Sequence, residues 1–109
     1  MRNYKAVVNV LLEECRDAGY ELVSIRDEEG STTVHDSMPS SDITRIATDT
    51  ETCALVFKHK YLEPHIFGHK IVFFLVYGNA LDETICDHTD CGAAESIANV
   101  VADKFAGCV

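Results

Sequence analysis

The sequence predicts an α+β domain in which two longer helices pack on one face of an antiparallel four-stranded sheet. Helical periodicity occurs at both ends of the chain, and the middle contains two apolar segments typical of strands. The connection between those segments contains Pro64 and Gly68, which favours an antiparallel hairpin. With 109 residues, of which 47% are hydrophobic and 25% charged, the chain is typical of one globular domain covering residues 1–109. The predicted order of elements is α-β-α-β-β-β-α.

The first predicted helix covers residues 3–18. Its apolar residues recur at intervals of three and four, and charged residues such as Arg16 fall between them, which is the pattern of an amphipathic helix. Gly19 follows at the position where a left-handed residue ends many helices. Residues 20–26 are predicted as the first strand because they contain β-branched residues in a mixed alternation.

A polar segment, residues 28–40, separates this strand from the second helix. The segment is rich in turn-forming residues and has no helical or strand period, so we expect a mobile loop. The second helix is predicted at residues 41–50, with Ser40 or Ser41 as its N-cap. Asp42 then lies in the first turn, where a negative charge is favourable.

Three further strands and a helix complete the predicted fold. Residues 53–60 and 70–77 form the hairpin, and the second of these strands is apolar on both faces, which places it centrally in the sheet. Residues 84–88 form a short third strand of the meander. The last helix is predicted at residues 92–105, with an acidic residue in its first turn and a lysine in its last, as the helix dipole favours.

The chain is acidic overall. Eighteen acidic and nine basic side chains give it a formal net charge of −9. Because binding to phosphates requires a surplus of Lys and Arg, direct nucleic-acid binding is disfavoured and a partner with a basic surface is expected. The lysines of the hairpin, Lys58, Lys60 and Lys70, are interpreted as a solvated strand edge, where lysine blocks edge-to-edge pairing.

No targeting or membrane-spanning segment is recognisable in the sequence. Charged residues interrupt the apolar residues near the N-terminus, which argues against a signal peptide and against a membrane span. The five cysteines are an odd number spread along the chain, and a domain of this size builds a core without disulfides. We therefore expect reduced thiols in a cytoplasmic protein that contacts no membrane.

Acidic residues cluster in three parts of the sequence: late in the first helix, in the turn after the first strand, and around the last strand. On one side of a rigid domain they would imitate the phosphates of a duplex and occupy a basic nucleic-acid channel. Solubility alone also explains an acidic surface. The candidate partner-binding residues are Glu13, Glu14, Asp17, Asp27, Glu28, Glu29, Asp82, Glu83, Asp87 and Asp90.

A second candidate site is the segment from Cys86 to Cys91. On a strand, Cys86 and His88 point to one face, and Cys91 would supply a third zinc ligand. Alternatively, His88 would activate a nucleophilic thiol at Cys86 or Cys91. The segment lacks a fourth ligand at the spacing of a zinc knuckle, and residues i and i+2 on a strand lie roughly 6–7 Å apart. The simpler interpretation is a small buried cysteine beside a surface histidine.

Three segments resemble small uncharacterised proteins encoded by bacteriophages and prophages. These segments are Tyr20–Ser24, Val72–Asn79 and Ile85–Thr89, so the resemblance covers about residues 20–89. The resemblance implies a context, because phage accessory proteins of this size commonly inhibit or adapt host machinery, including the nucleases of bacterial defence. It carries over no functional residue.

These observations favour a non-enzymatic protein-binding module without a cofactor. Its expected partner is a host or defence nucleic-acid-binding protein, which the acidic face would inhibit in the manner of anti-CRISPR or anti-restriction proteins. Two alternatives stay open. One is a zinc-supported or thiol-dependent domain that uses Cys86, His88 and Cys91. The other is a self-associating structural protein, such as a homodimer, in which the apolar hairpin exposes an edge or a face.

Overall fold

The computed structural model describes residues 3–28, 30–34 and 38–107. The fold has the predicted α+β class, with three α-helices and five strands within these residues. In chain order the elements are α1 (Tyr4–Asp17), β1 (Tyr20–Asp27), β2 (Gly30–Thr33), α2 (Ser40–Ala47), β3 (Thr52–His59), β4 (Lys70–Val76), a turn of 3-10 helix (Leu81–Glu83), β5 (Ile85–His88) and α3 (Gly92–Phe105).

The five strands form one antiparallel sheet in the order β2-β1-β3-β4-β5. The prediction of four strands is wrong because β2 lies in the segment that was expected to be a mobile loop. β2 pairs with the end of β1, from Asp27 opposite Gly30 to Ser24 opposite Thr33. Backbone pairing holds β2 and all its side chains are exposed, so no hydrophobic alternation reveals it in the sequence. Residues 35–37 of the expected loop, and its residue 29, lie outside the described residues.

The helix boundaries follow the local sequence closely. α3 begins and ends at the predicted residues, and α1 is one residue shorter than predicted at each end. α2 begins at Ser40 and ends at Ala47, earlier than predicted. Pro39 occupies its N-cap position and no side chain caps this helix, so the expected capping by Ser40 or Ser41 is wrong.

β3 and β4 are interior strands, each with a neighbour on both sides. This order confirms that the strand predicted at residues 70–77 is not at an edge of the sheet. It also corrects the interpretation of the hairpin lysines as a strand edge, because β2 and β5 form the edges. Lys58 and Lys70 pair across the last position of the hairpin, where the chain leaves the sheet.

The hydrophobic core lies between one face of the sheet and the helices. Phe57 of β3 and Phe73 of β4 pack edge to face in this core, with ring centroids 5.8 Å apart. Such an aromatic pair adds about 0.5–1.5 kcal/mol to the burial of its area. α1 and α3 both contribute buried residues to the same core, Leu11 and Val101 among them. The two longer helices therefore cover the same face of the sheet.

We call the other side of the sheet the open face, because all three helices of the described chain pack into the core on the opposite side. Side chains alternate along a strand, so Ala54 and Val56 of β3 point to the open face. Both residues are buried although they do not belong to the core. β4 contributes Val72 and Phe74, and 44% of Phe74 is exposed. The open face therefore has an apolar centre.

Gly19 connects α1 to β1 in a conformation that favours glycine. Its φ is +91°, and a Cβ at this position would lie 2.7 Å from Nε2 of His59. The turn lies close to the end of β3, because the carbonyl of Gly19 accepts a hydrogen bond from the backbone N–H of Lys60. The position of Gly19 after the first helix is thus confirmed, and the contact with His59 is an additional reason for glycine.

We expect Gly19→Ala to lower the free energy of unfolding by about 1–3 kcal/mol, because the variant combines a left-handed backbone with a steric clash. The control is Gly92→Ala, at the first residue of α3, where φ is ordinary and nothing lies within 4 Å of the added Cβ. Alanine favours the helix there, so this variant should be neutral or more stable. Urea unfolding measures both, and equal stability of the two variants would contradict the argument.

Two buried thiols and one half-buried phenol give the stability of the fold a dependence on alkaline pH. The hydroxyl of Tyr77 donates to the carbonyl of Ala47 at 2.7 Å and lies 3.4 Å from the sulfur of Cys53. Burial raises the pKa of Tyr77 well above its ordinary value, and the neighbouring Cys53 raises it further. Burial also raises the pKa of the Cys53 thiol and that of the Cys15 thiol, to which Glu14 adds.

Stability should therefore fall as the pH rises above about 9. In the unfolded chain the thiols and the phenol ionise near their ordinary pKa values of about 8.5 and 10, whereas the folded chain keeps these protons. The unfolded state then binds fewer protons than the native state, so the free energy of unfolding decreases with pH, by about 1.4 kcal/mol per unit for each group.

Urea unfolding between pH 8 and pH 11 checks this expectation. Tyr77→Phe should flatten the dependence above pH 10, whereas Tyr61→Phe, at an exposed tyrosine, should leave it unchanged. The same slope in the wild type and in Tyr77→Phe would show that Tyr77 does not contribute.

Candidate functional site

Carboxylates from separate parts of the chain converge at one end of the sheet. Asp27 pairs with Cys53 between β1 and β3, and Thr52 pairs with Val76 between β3 and β4. The end of β1, the start of β3 and the end of β4 therefore lie side by side. The 3-10 turn joins them, because the backbone N–H of Val76 donates to the carbonyl of Thr84. We call this region the acidic end, and its carboxylates are Asp27, Glu28, Asp49, Glu51, Asp82 and Glu83.

The acidic end contains a concave surface of about 820 Å³. The rings of Tyr4 and Tyr77 lie in it with centroids 5.1 Å apart. The hydroxyl of Tyr4 accepts a hydrogen bond from the backbone of Gly78 at 2.8 Å and donates to the carbonyl of the next residue. The hydroxyl of Thr52 donates to the carboxylate of Glu28 at 3.3 Å. These bonds tie α1 and the β1–β2 turn to the strand ends, so they hold the surface in shape.

The acidic residues of α1 lie at the opposite end of the sheet. Glu13, Glu14 and Asp17 occupy the second half of α1, which leads directly into the start of β1. The acidic end lies at the other end of β1, roughly 23 Å away at about 3.3 Å per residue. Glu14 also accepts a hydrogen bond from Lys104 of α3 at 2.9 Å, which raises the pKa of the Lys104 ammonium. The structure thus separates this group from the acidic end.

The last predicted acidic residues lie apart from both groups. Asp87 is on β5 and pairs with Phe74, which puts it on the open face. Asp90 follows β5 at the end of the sheet remote from the acidic end, where the backbone of Thr89 donates to the carbonyl of Val72. Glu29 lies outside the described residues.

Sequence reasoning missed two residues of the acidic end, Asp49 and Glu51. They alternate with threonines in the turn between α2 and β3, and both are exposed. A signal was available, because a polar, acidic turn directly before an apolar strand marks the residue at which that strand begins. Which other carboxylates share this end depends on the order of the strands, which was not known.

The β3–β4 loop, residues 60–69, exposes aromatic side chains that the sequence analysis did not identify. Tyr61 is 82% exposed and Phe67 78% exposed. The loop is nevertheless held in place, because Nδ1 of His59 accepts hydrogen bonds from the backbone of Tyr61 and of Leu62 at 3.1 and 3.2 Å. Aromatic side chains exposed on an ordered loop are typical of contact surfaces.

A β-bulge interrupts β5 at Cys86. Phe74 of β4 pairs with Asp87, but its neighbour Leu75 pairs with Ile85, so Cys86 is an extra residue without a partner in the register. The regular alternation that would direct Cys86 and the residue two positions later to one face is therefore broken.

The three candidate zinc ligands have different environments. Cys86 is exposed, and its Sγ donates to the carbonyl of Phe74 at 3.3 Å. His88 lies beside the ring of Phe73, with centroids 6.4 Å apart, and Cys91 is buried in the core. Among the residues that the structure describes, no group of three His, Cys, Asp or Glu side chains is arranged to hold a metal ion.

Comparison of the chain with protein-family models, with curated proteins and with solved structures finds no match. No helix in the described ranges is both long enough and apolar enough to cross a membrane. The interpretation of the site therefore depends on its geometry and charge.

Cys86 is exposed, whereas Cys15, Cys53 and Cys91 are buried, so an alkylating reagent should distinguish Cys86 from the other three thiols. We expect iodoacetamide at pH 8 to modify Cys86 at least 100-fold faster than Cys15, Cys53 or Cys91, because a thiolate must form and be reached by the reagent. Peptide mapping by mass spectrometry measures each site. In denaturant all four should react at similar rates, and equal rates in the native protein would contradict the burial of the three core cysteines.

Proposed function

We propose that this protein is a non-enzymatic binding module whose acidic end docks on the basic surface of a nucleic-acid-binding protein. The observation that carries the proposal is the convergence of six carboxylates at one end of the sheet, of which Glu28, Asp49 and Glu51 line one concave surface. The partner would be a host or defence protein, and docking would exclude its nucleic acid. The resemblance to phage accessory proteins favours the same class of partner.

The charge distribution supports the acidic end as the contact rather than the chain as a whole. The segments that build it, residues 27–28, 48–52 and 76–84, contain no Lys or Arg; the nearest basic residues in sequence are Arg26, directly before the first segment, and Arg45, three residues before the second. Neighbouring strands lie about 4.8 Å apart, so the carboxylates from β1 to β5 extend over roughly 14 Å. A compact row of like charges attracts a surface that has evolved to bind phosphates.

Electrostatic contacts of this kind determine the rate and the specificity of association. A negative patch that meets a positive one steers the encounter and excludes neutral partners. Screening acts over about 10 Å at 0.1 M salt, so the complex should weaken as salt is added. The aromatic rings of Tyr4 and Tyr77 add area that a lysine or arginine side chain of the partner can stack on.

The test compares two variants with the same change in charge. The first carries Asp49→Lys, Glu51→Lys and Glu83→Lys, at exposed positions of the acidic end. The matched control carries Glu13→Lys, Asp17→Lys and Asp90→Lys, at exposed positions remote from it. Circular dichroism and urea unfolding confirm that both variants fold.

The wild type and both variants are immobilised and incubated with a bacterial lysate that contains defence nucleases. Retained proteins are eluted with duplex DNA or with salt, and mass spectrometry quantifies them. We expect a nucleic-acid-binding protein that wild type and control retain equally, that duplex DNA displaces, and that the acidic-end variant binds at least tenfold more weakly when purified. Equal loss in both variants, retention that duplex DNA does not displace, or no retained protein would overturn the proposal.

A further inference from the structure

The open face differs from the rest of the molecule in its charge. Its charged residues, with Glu28 at its border, are three basic and three acidic, whereas the chain as a whole has a net charge of −9. The basic ones are Arg26, Lys58 and Lys70, and the acidic ones are Glu21, Glu28 and Asp87. Two copies of the chain that approach through this face bring together surfaces without a net charge of their own.

The charges on the open face are also divided between its two ends. Lys58 and Lys70 pair with each other where the β3–β4 hairpin leaves the sheet, and Glu21 pairs with Lys58 from β1. Towards the acidic end lie Glu28, Asp87 and Arg26, so one half has a net positive charge and the other a net negative charge. A surface divided in this way is complementary to itself when it is turned end over end.

The apolar centre of the open face has the same property. A hollow of about 310 Å³ lies in the half towards the acidic end, where Ala54 is small and Phe74 stands beside it. In the other half, Val56 and Val72 occupy the next outward positions of the same two strands. Turning a copy end over end about β3 puts its Val56 over Ala54 and its Val72 over Phe74, so its valines face the half that contains the hollow.

We propose that the open face binds a second copy of this chain, with the strands of the two sheets antiparallel and a two-fold axis across β3. In this dimer Val56 of each copy lies over Ala54 of the other, Lys58 lies near Glu28, and Lys70 lies over the half of the face that contains Asp87. Once the axis is placed across β3, the residues that face each other follow from the register and the strand order. A two-fold dimer is closed, so it does not grow into longer assemblies.

The size of the face sets the expected strength of the dimer. Three strands of seven or eight residues and two of four residues, about 4.8 Å apart, have a footprint of roughly 490 Å². A stable interface buries about 800 Å² of accessible surface from each partner. The open face is smaller than this, so we expect weak association, and the measurement has to extend to high chain concentrations.

Sedimentation velocity and light scattering between about 1 and 500 µM measure the mass of the wild type, which should rise from 12.0 kDa towards twice that value. Phe74→Lys should stay monomeric over this range. The control is Val100→Lys, at an exposed apolar residue of α3 on the helical side, which should dimerise like the wild type. Phe67→Ser tests the β3–β4 loop and should also leave the dimer intact.

A pair of charge variants tests the antiparallel arrangement. One variant carries Lys58→Glu with Lys70→Glu, and the other carries Glu28→Lys with Asp87→Lys. Each variant alone puts like charges together at all four of these contacts, two of each kind, so dimerisation should weaken at least tenfold. In an equimolar mixture every contact joins opposite charges again, so a heterodimer of near wild-type affinity should form.

Several results would overturn this inference. They are a wild type that stays monomeric at 500 µM, a dimer that survives Phe74→Lys, a dimer that is lost in Phe67→Ser, and a mixture of charge variants that stays monomeric. These measurements use no binding partner, so their outcome is separate from that of the proposed function. A dimer without partner capture would retain this inference and reject the proposed function. Partner capture by a protein that stays monomeric would retain the proposed function and reject this inference.

Discussion

The structure depends on the burial of one face of a single sheet. α1 and α3 pack against the same side of β3 and β4, where Phe57 and Phe73 meet in the core. Because successive side chains of a strand point in opposite directions, every residue committed to this core directs its neighbours away from it. The open face is therefore a direct consequence of the packing of the helices. The same packing holds the strand ends in place, and with them the turns that form the acidic end.

The acidic end shows how a charged surface arises from residues that are far apart in the chain. Its carboxylates come from the β1–β2 turn, the α2–β3 turn and the 3-10 turn before β5, and the strand order brings these three turns together. Tyr4 joins them from α1 through its hydrogen bonds to the chain after β4. Charge and shape are thus set by different parts of the sequence, and the net charge of −9 would be compatible with many other arrangements.

Much of the fold was predictable because strong local patterns coincide with the elements. α3 begins and ends where its apolar period does, and β3 and β4 are recognisable as one hairpin around Pro64 and Gly68. β2 was not predictable, since its polar residues pair only through the backbone and bury no side chain. For the candidate site, Asp27, Glu28, Asp82 and Glu83 were named from the sequence, whereas Asp49 and Glu51 were missed. Their distance from the other acidic residues along the chain hides their proximity in space.

The sequence by itself determined the α+β class, the two long helices, the central hairpin and the acidic character of the chain, because each depends on the residue types within a short segment. Only the tertiary structure decided which face of the sheet stays open, which turns share an end, and how the bulge at Cys86 changes the direction of side chains on β5. Those features depend on pairing between distant strands. Such pairing is selected by the packing of the whole core, and no local pattern records it.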